Sequence, residues 1–98
     1  MKEAEEAVGA PTADRVTSPD QLDAVVQAAK HGNLAAFSRL YELFGKKILN
    51  YIFRLTGSRN DAEDLMQDTF VLAFSKLQSL KENAKFQSWL FRIAQNNV

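Results

Sequence analysis

The feature that most constrains this chain is the spacing of its apolar residues, which recur every three or four positions. In the longest such segment, one stripe is formed by Leu34, Phe37, Leu40, Tyr41, Phe44, Ile48, Tyr51, Ile52 and Leu55. Basic residues of the same segment fall on the opposite side. This period is typical of a helix that buries one face. No segment alternates apolar and polar residues as a strand does, so we expect an all-α fold.

Residues that favour helix ends mark the first two helices. Ser18 and the proline after it are suited to begin a helix that should reach about Lys30. Gly32 lies where the C-terminal cap of that helix is expected. Asn33 can cap the second helix, which should end at Gly57.

Two further helices are predicted in the second half of the chain. Asn60 and Glu63 form a possible capping box for a third helix that should end near Leu77. A polar connection over residues 78–85 follows it. The fourth helix is marked by Phe86, Trp89, Leu90, Ile93 and Ala94. Four helices with short connections predict a compact bundle.

The composition divides the chain into a tail and one domain. We expect residues 1–17 to form a disordered tail, because they contain few large apolar residues. Residues 18–98 suffice for one domain. No apolar run approaches the ~20 residues of a membrane span, so we expect no membrane partner. There is no cysteine, which fits a reducing compartment such as the cytoplasm.

The predicted third helix is apolar around more of its circumference than one core contact needs. Its main apolar arc holds Leu72, Leu65, Ala62, Ala73, Met66 and Leu77. The apolar surface then continues, interleaved with polar residues, through Phe70, Val71, Phe74, Glu63, Asp64 and Gln67. A stripe somewhat over ~100° wide is enough for packing on a single core. We therefore interpret the half-acidic, half-aromatic remainder as a second face.

Charge is segregated along the chain although the formal net charge is zero. Residues 61–68 hold four acidic residues and no basic one. From residue 69 onward there are four basic residues, and Glu82 is the one acid. This segregation predicts separate acidic and basic surfaces. The alternative is that each cluster is an ordinary solvated helix face.

No arrangement of residues suited to catalysis is apparent in the sequence. The single histidine, His31, lies at a predicted helix end, where capping explains it. Asp61, Asp64 and Asp68 resemble magnesium ligands only by residue type, since they begin a helix and lack loop ligands. The glycines are isolated, so no phosphate-binding loop is formed. We expect neither an enzyme nor a bound metal or cofactor.

The connection at 78–85 and the helix after it carry side chains suited to nucleic acids. Lysine and arginine hold phosphates, amides read base edges, and aromatic rings or a loop pocket receive unstacked bases. These side chains are Lys76, Lys81, Asn83, Lys85, Phe86, Gln87, Ser88, Trp89, Phe91, Arg92, Gln95, Asn96 and Asn97. The alternative is that Phe86, Trp89, Leu90 and Ile93, which keep helical spacing, pack in the core. For Trp89 and Ile93 we favour the core interpretation.

Three linked motifs resemble region 2 of bacterial RNA polymerase sigma factors of the extracytoplasmic-function type. They are "DAEDLMQDTF" at 61–70, "F-x-x-WL" at 86–90 and "RIAQN" at 92–96. The resemblance covers roughly residues 20–98. It implies that residues 18–98 are sigma domain 2. It also implies that a helix-turn-helix domain for the minus-thirty-five element would follow Val98, so we expect a fragment of a longer protein.

The resemblance implies two partners. The third helix would dock on the clamp helices of the largest subunit of core RNA polymerase, through Glu63, Asp64, Gln67, Asp68, Phe70 and Phe74. The following loop and helix would capture a flipped base of the non-template single strand at the promoter minus-ten element. The residues implied in this DNA contact are Lys76, Leu80, Lys81, Asn83, Lys85, Phe86, Gln87, Ser88, Arg92 and Asn96.

Two further expectations follow from the resemblance. An anti-sigma factor would be a possible regulatory partner. The alternative to promoter melting is a protein-interaction module that binds polymerase or an anti-sigma factor without reading DNA. The surface between Lys81 and Asn96 distinguishes the two hypotheses, because only the first one needs it.

Overall fold

A computed structural model describes residues 18–98, and within that range the chain is helical without strands. The helices are α1 (Pro19–Lys30), α2 (Leu34–Thr56), α3 (Arg59–Ser75) and α4 (Phe86–Asn97). Two short 3₁₀ turns, Leu77–Ser79 and Asn83–Lys85, connect α3 to α4. The prediction of an all-α bundle of four helices is confirmed. The predicted tail at residues 1–17 lies outside the described residues.

The ends of α1 and α2 are made by the predicted residues. The Ser18 Oγ accepts a hydrogen bond from the backbone N–H of Gln21 at 3.4 Å. The Asn33 Oδ1 accepts one from the N–H of Ala36 at 3.1 Å. These side chains satisfy N–H groups that have no partner within the helix. Gly57 ends α2 with a φ of 74°, a conformation that favours glycine.

The predicted start of α3 is wrong by two residues. Ser58, not Asn60, is the N-cap, and its Oγ accepts a hydrogen bond from the N–H of Asp61 at 3.3 Å. The reason is that Gly57 has already reversed the chain, so Ser58 is extended and its short hydroxyl reaches the first turn. The other end also differs. Helix α3 stops at Ser75, before the predicted Leu77.

Helix α3 packs against both α2 and α4. The large, fully buried side chains of the core come from several elements: Val26, Leu40, Phe44, Ile48, Ile52, Thr69, Leu77, Phe86 and Leu90. Thr69 is the polar member, and its hydroxyl donates to the backbone carbonyl of Leu65 at 2.7 Å. A helix covered on two sides buries a wide arc. This position accounts for much of the excess apolar width that the sequence shows.

Helix α1 packs against α2 and against the 3₁₀ turn that precedes α4. It therefore contacts the connection whose side chains the sequence links to nucleic acids. Among residues 18–98, no helix is both long and apolar enough to cross a bilayer.

Two candidate binding surfaces

The first surface is an acidic face on α3, which we define as Glu63, Asp64, Gln67 and Asp68. All four side chains are exposed, as the predicted docking role requires. Glu63 forms an ion pair with Arg59 at 3.5 Å, and both partners are well exposed. An exposed pair of this kind contributes little to stability. The acidic face is therefore accessible to a basic partner.

The two phenylalanines predicted beside the acidic face occupy different environments. Phe70 is only 3% exposed, and its ring centroid lies 5.0 Å from that of Tyr41. Its predicted direct contact with a partner does not agree with this burial, because α2 covers that side of α3. Phe74 is half-buried and keeps part of its ring at the surface.

An aromatic groove between α2 and α3 lies next to Phe74. The groove has a volume of about 440 Å³ and is lined by Phe37, Ser38, Tyr41, Glu42 and Phe74. The rings of Phe37 and Phe74 are in contact, with centroids 4.7 Å apart. The sequence interpretation had assigned Phe37 and Tyr41 only to the buried stripe of α2. Their accessibility could not be read from spacing, because it depends on where α3 crosses α2.

The second surface is a loop pocket between the 3₁₀ turns and α4. Its volume is about 290 Å³, and it is lined by Ser79, Leu80, Lys81, Glu82, Lys85, Ser88, Trp89 and Arg92. Five of these were predicted to contact DNA: Leu80, Lys81, Lys85, Ser88 and Arg92. The lining contains three basic side chains and one acidic side chain, so the pocket favours anions. Glu82 offsets part of this charge through an exposed ion pair with Lys85 at 3.6 Å.

The sequence interpretation favoured a core position for Trp89 over a nucleic-acid contact. Trp89 is half-buried, with its ring centroid 5.9 Å from that of Phe86, and it also lines the loop pocket. The core interpretation is thus correct for only part of the indole. Its place on α4 one turn before Ile93 indicated packing. Its neighbours Ser88 and Arg92 were the available signal for the pocket.

Two predicted DNA contacts are buried. Phe86 is 0% exposed, with its ring centroid 5.4 Å from that of Phe44, and Leu80 is 5% exposed. The burial of both residues disagrees with the direct DNA contact predicted for them, except that one edge of Leu80 reaches the loop pocket. Both are apolar and close the bundle beneath the loop. They therefore support the pocket from inside.

The remaining predicted DNA contacts do not line the loop pocket. Lys76 and Asn96 line a separate concavity of about 240 Å³ between α3 and α4. Gln87 is exposed in the first turn of α4. The amide of Asn83 does not face solvent freely, because its Nδ2 donates to the Gln27 Oε1 of α1 at 2.9 Å. The structure thus divides the predicted DNA surface into two concavities.

Across residues 18–98 no group of three or more His, Asp or Glu side chains lies close enough to hold a metal ion. What the chain presents is a bundle with an acidic helix face, an aromatic groove and a basic pocket.

The family model described as Sigma-70 region 2 matches residues 40–98. The ECF RNA polymerase sigma factor SigW of Bacillus subtilis is 34% identical over 71 residues, covering 72% of this chain and 38% of the relative. The ECF RNA polymerase sigma-E factor of Haemophilus influenzae is 33% identical over 75 residues, covering 76% and 39%. The RNA polymerase sigma factor YlaC of Bacillus subtilis is 44% identical over 55 residues, covering 56% and 32%.

The chain therefore belongs to the sigma-70 family, as the region 2 domain of an extracytoplasmic-function type factor. This assignment confirms the resemblance and the expectation that the chain is not an enzyme. The chain spans less than two fifths of the length of these relatives. No solved structure matches it significantly.

Proposed function

We propose that this chain is domain 2 of a transcription initiation factor, that it docks on core RNA polymerase, and that it captures a flipped promoter base. The loop pocket is the observation that carries the proposal. Lys81, Lys85 and Arg92 surround a concavity with Trp89 in its wall. The cationic groups suit the phosphates of a strand, and the indole suits an unstacked base. The captured base belongs to the non-template strand of the minus-ten element.

The energetics of base capture suit this pocket. Unstacking one base costs a few kcal/mol. Stacking on an aromatic side chain returns about 1–3 kcal/mol, and Trp89 is the ring available. The volume of about 290 Å³ lies at the low end of the ~300–1,000 Å³ typical of ligand pockets, as a single base requires. Melting then results from preferential binding of the single strand, without a chemical step.

Residues outside the pocket extend the same surface. Asn96 lies one helical turn beyond Arg92 on α4 and shares its concavity with Lys76. In the proposal these residues contact the strand next to the captured base. The lysine adds a phosphate contact, and the amide can read a base edge.

Docking on polymerase would use the acidic face and the aromatic groove together. The clamp helices of the largest subunit are the proposed partner. The exposed carboxylates of α3 would steer a basic helix, and the groove would receive its apolar side chains. A protein with this role acts in the cytoplasm. An anti-sigma partner stays a prediction from the resemblance.

The test is binding to labelled single-stranded minus-ten oligonucleotides, measured by fluorescence anisotropy at two salt concentrations, with and without a polymerase clamp fragment. We expect sequence-selective binding that the clamp fragment strengthens. Arg92→Ala should weaken it about tenfold, because a charged contact at the pocket is lost. For this variant, the slope of log affinity against log salt concentration (the salt slope) should become shallower by about 0.7, as expected when one phosphate contact to a single strand is lost.

Arg54→Ala is the matched control, since Arg54 is exposed on α2 and does not line the loop pocket. An equal loss in both variants would indicate diffuse attraction and contradict capture in the pocket. Clamp binding without any DNA selectivity would instead support the interaction-only alternative.

A further inference from the structure

We propose that α1 is a brace that sets the shape of the loop pocket, with Gln27 and Lys30 as positioning residues. Nothing in the sequence interpretation assigns them a role. The inference rests on the proposed function of the pocket and adds a determinant of its selectivity. Both residues lie before residue 40, where the family match begins.

Three hydrogen bonds tie the C-terminal end of α1 to the connection between α3 and α4. The Gln27 Oε1 accepts from the Asn83 Nδ2 at 2.9 Å. The Lys30 ammonium donates to the backbone carbonyl of Leu80. The backbone carbonyl of Lys30 accepts from the Gln78 Nε2 at 2.6 Å. Each bond joins residues about fifty positions apart, so each restrains tertiary structure.

The bonds reach both 3₁₀ turns and the segment between them. Gln78 belongs to the first turn, Asn83 to the second, and Leu80 lies between them and lines the pocket. Single 3₁₀ turns have little intrinsic stability. At Leu80 the chain becomes extended, and its N–H makes one 3₁₀-type hydrogen bond, to the carbonyl of Leu77. The brace therefore fixes the one wall of the pocket that is not part of a long helix.

Asn83 gives a second, independent sign that the brace holds the loop in place. Its Oδ1 is buried without a hydrogen-bond partner. A buried amide oxygen in this state is unfavourable, so the side chain would gain by rotating towards water. The bond from its Nδ2 to Gln27 opposes that rotation. Breaking the bond would free Asn83 and the turn that carries it.

The first experiment measures amide hydrogen exchange in the free chain, without DNA. Gln27→Ala should speed exchange of the loop amides about threefold to tenfold, including those of Leu80 and Lys85, while amides inside α2 and α3 stay unchanged. Gln21→Ala is the matched control, because Gln21 is exposed on the same helix. Unchanged exchange in the loop would overturn the brace.

The second experiment measures oligonucleotide binding through the fluorescence of Trp89, the single tryptophan of the chain and a wall of the pocket. Gln27→Ala should weaken binding about threefold to tenfold, with an unchanged salt slope because no charge is lost. Affinity for the clamp fragment should not change, whereas a general loss of stability would weaken it too.

Lys30 supplies a rescue test. Lys30→Met removes the donor to Leu80 and should reproduce the effect of Gln27→Ala, whereas Lys30→Arg keeps a donor and should restore binding. A salt slope lowered by Lys30→Met would identify Lys30 as a phosphate contact and contradict its positioning role.

The outcomes separate the two proposals. Faster loop exchange with unchanged DNA affinity would overturn the inference and leave the proposed function intact. A wild-type chain that binds no oligonucleotide would overturn the proposed function, whatever the exchange rates show.

Discussion

The two candidate surfaces differ in what holds them in shape. The aromatic groove is formed by side chains of two long helices whose rings pack on one another, as Phe37 and Phe74 do. The loop pocket takes one wall from α4 and the rest from two 3₁₀ turns and the segment between them. A surface on packed helices keeps its shape under substitution. A surface on short turns depends on a few hydrogen bonds, so it is easier to change in sequence.

This difference suits the two proposed partners. A polymerase clamp is a constant target, and a rigid helical surface serves it. Promoter sequences differ between factors, and a loop whose geometry depends on a few side chains can vary with them. The two surfaces should then respond independently to substitution.

The largest expected effect is a loss of stability, which would affect both surfaces at once. Phe86→Ala should lower the free energy of unfolding by about 3–5 kcal/mol, because a fully buried ring is removed from the core beneath the loop. Urea unfolding followed by circular dichroism measures this loss. Phe53→Ala, at an exposed ring of α2, should cost less than about 1 kcal/mol. A stable Phe86→Ala chain that has lost only DNA binding would restore the direct DNA role predicted for this residue.

The next largest effect should be a loss of clamp binding, from substitutions in the acidic face and the aromatic groove that leave the loop pocket unchanged. Gln67→Ala combined with Phe74→Ala should weaken binding to the clamp fragment about tenfold to a hundredfold, as truncation of a central aromatic anchor does. Oligonucleotide affinity without the clamp should stay within about twofold. Calorimetry for the clamp and anisotropy for DNA measure the two values. Unaltered clamp affinity in a folded variant would remove the docking assignment.

The smallest effect should fall on the loop pocket alone. Glu82→Gln removes the one acid that lines the pocket and should strengthen oligonucleotide binding about twofold to threefold at low salt. The gain should shrink as salt rises, because the pair with Lys85 is exposed. Anisotropy titrations at several salt concentrations measure it. Glu63→Gln on the acidic face is the control, and an equal gain there would mean that net charge alone governs DNA binding.

Local signals in the sequence predicted the helices well. Ser18, Asn33 and Gly57 act within three or four residues of their own positions, so their roles as helix ends could be read directly. The start of α3 was misplaced because Asn60 and Ser58 both suit a cap. The conformation of Gly57 decides between them, and the sequence does not give it.

The binding surfaces were predicted less completely, for a physical reason. Helical spacing tells that Phe70 and Phe86 are apolar members of their helices. It does not tell whether another helix covers them, and in the structure one does. The bonds from α1 to the loop join residues about fifty positions apart, and no periodic pattern carries that information. The basic character of the pocket followed from composition, and its shape did not.

The joint between α2 and α3 has a consequence for how fast the protein finds its partner. Only Gly57 and Ser58 separate the two helices, and both are fixed by hydrogen bonds to neighbouring residues. At the other end of the same two helices, ring contacts of Phe37 with Phe74 and of Tyr41 with Phe70 hold the walls of the aromatic groove together, so the groove is already formed before an encounter. Association with the clamp should then need no rearrangement of these helices, so its rate should be set by diffusion and by the attraction of the α3 carboxylates.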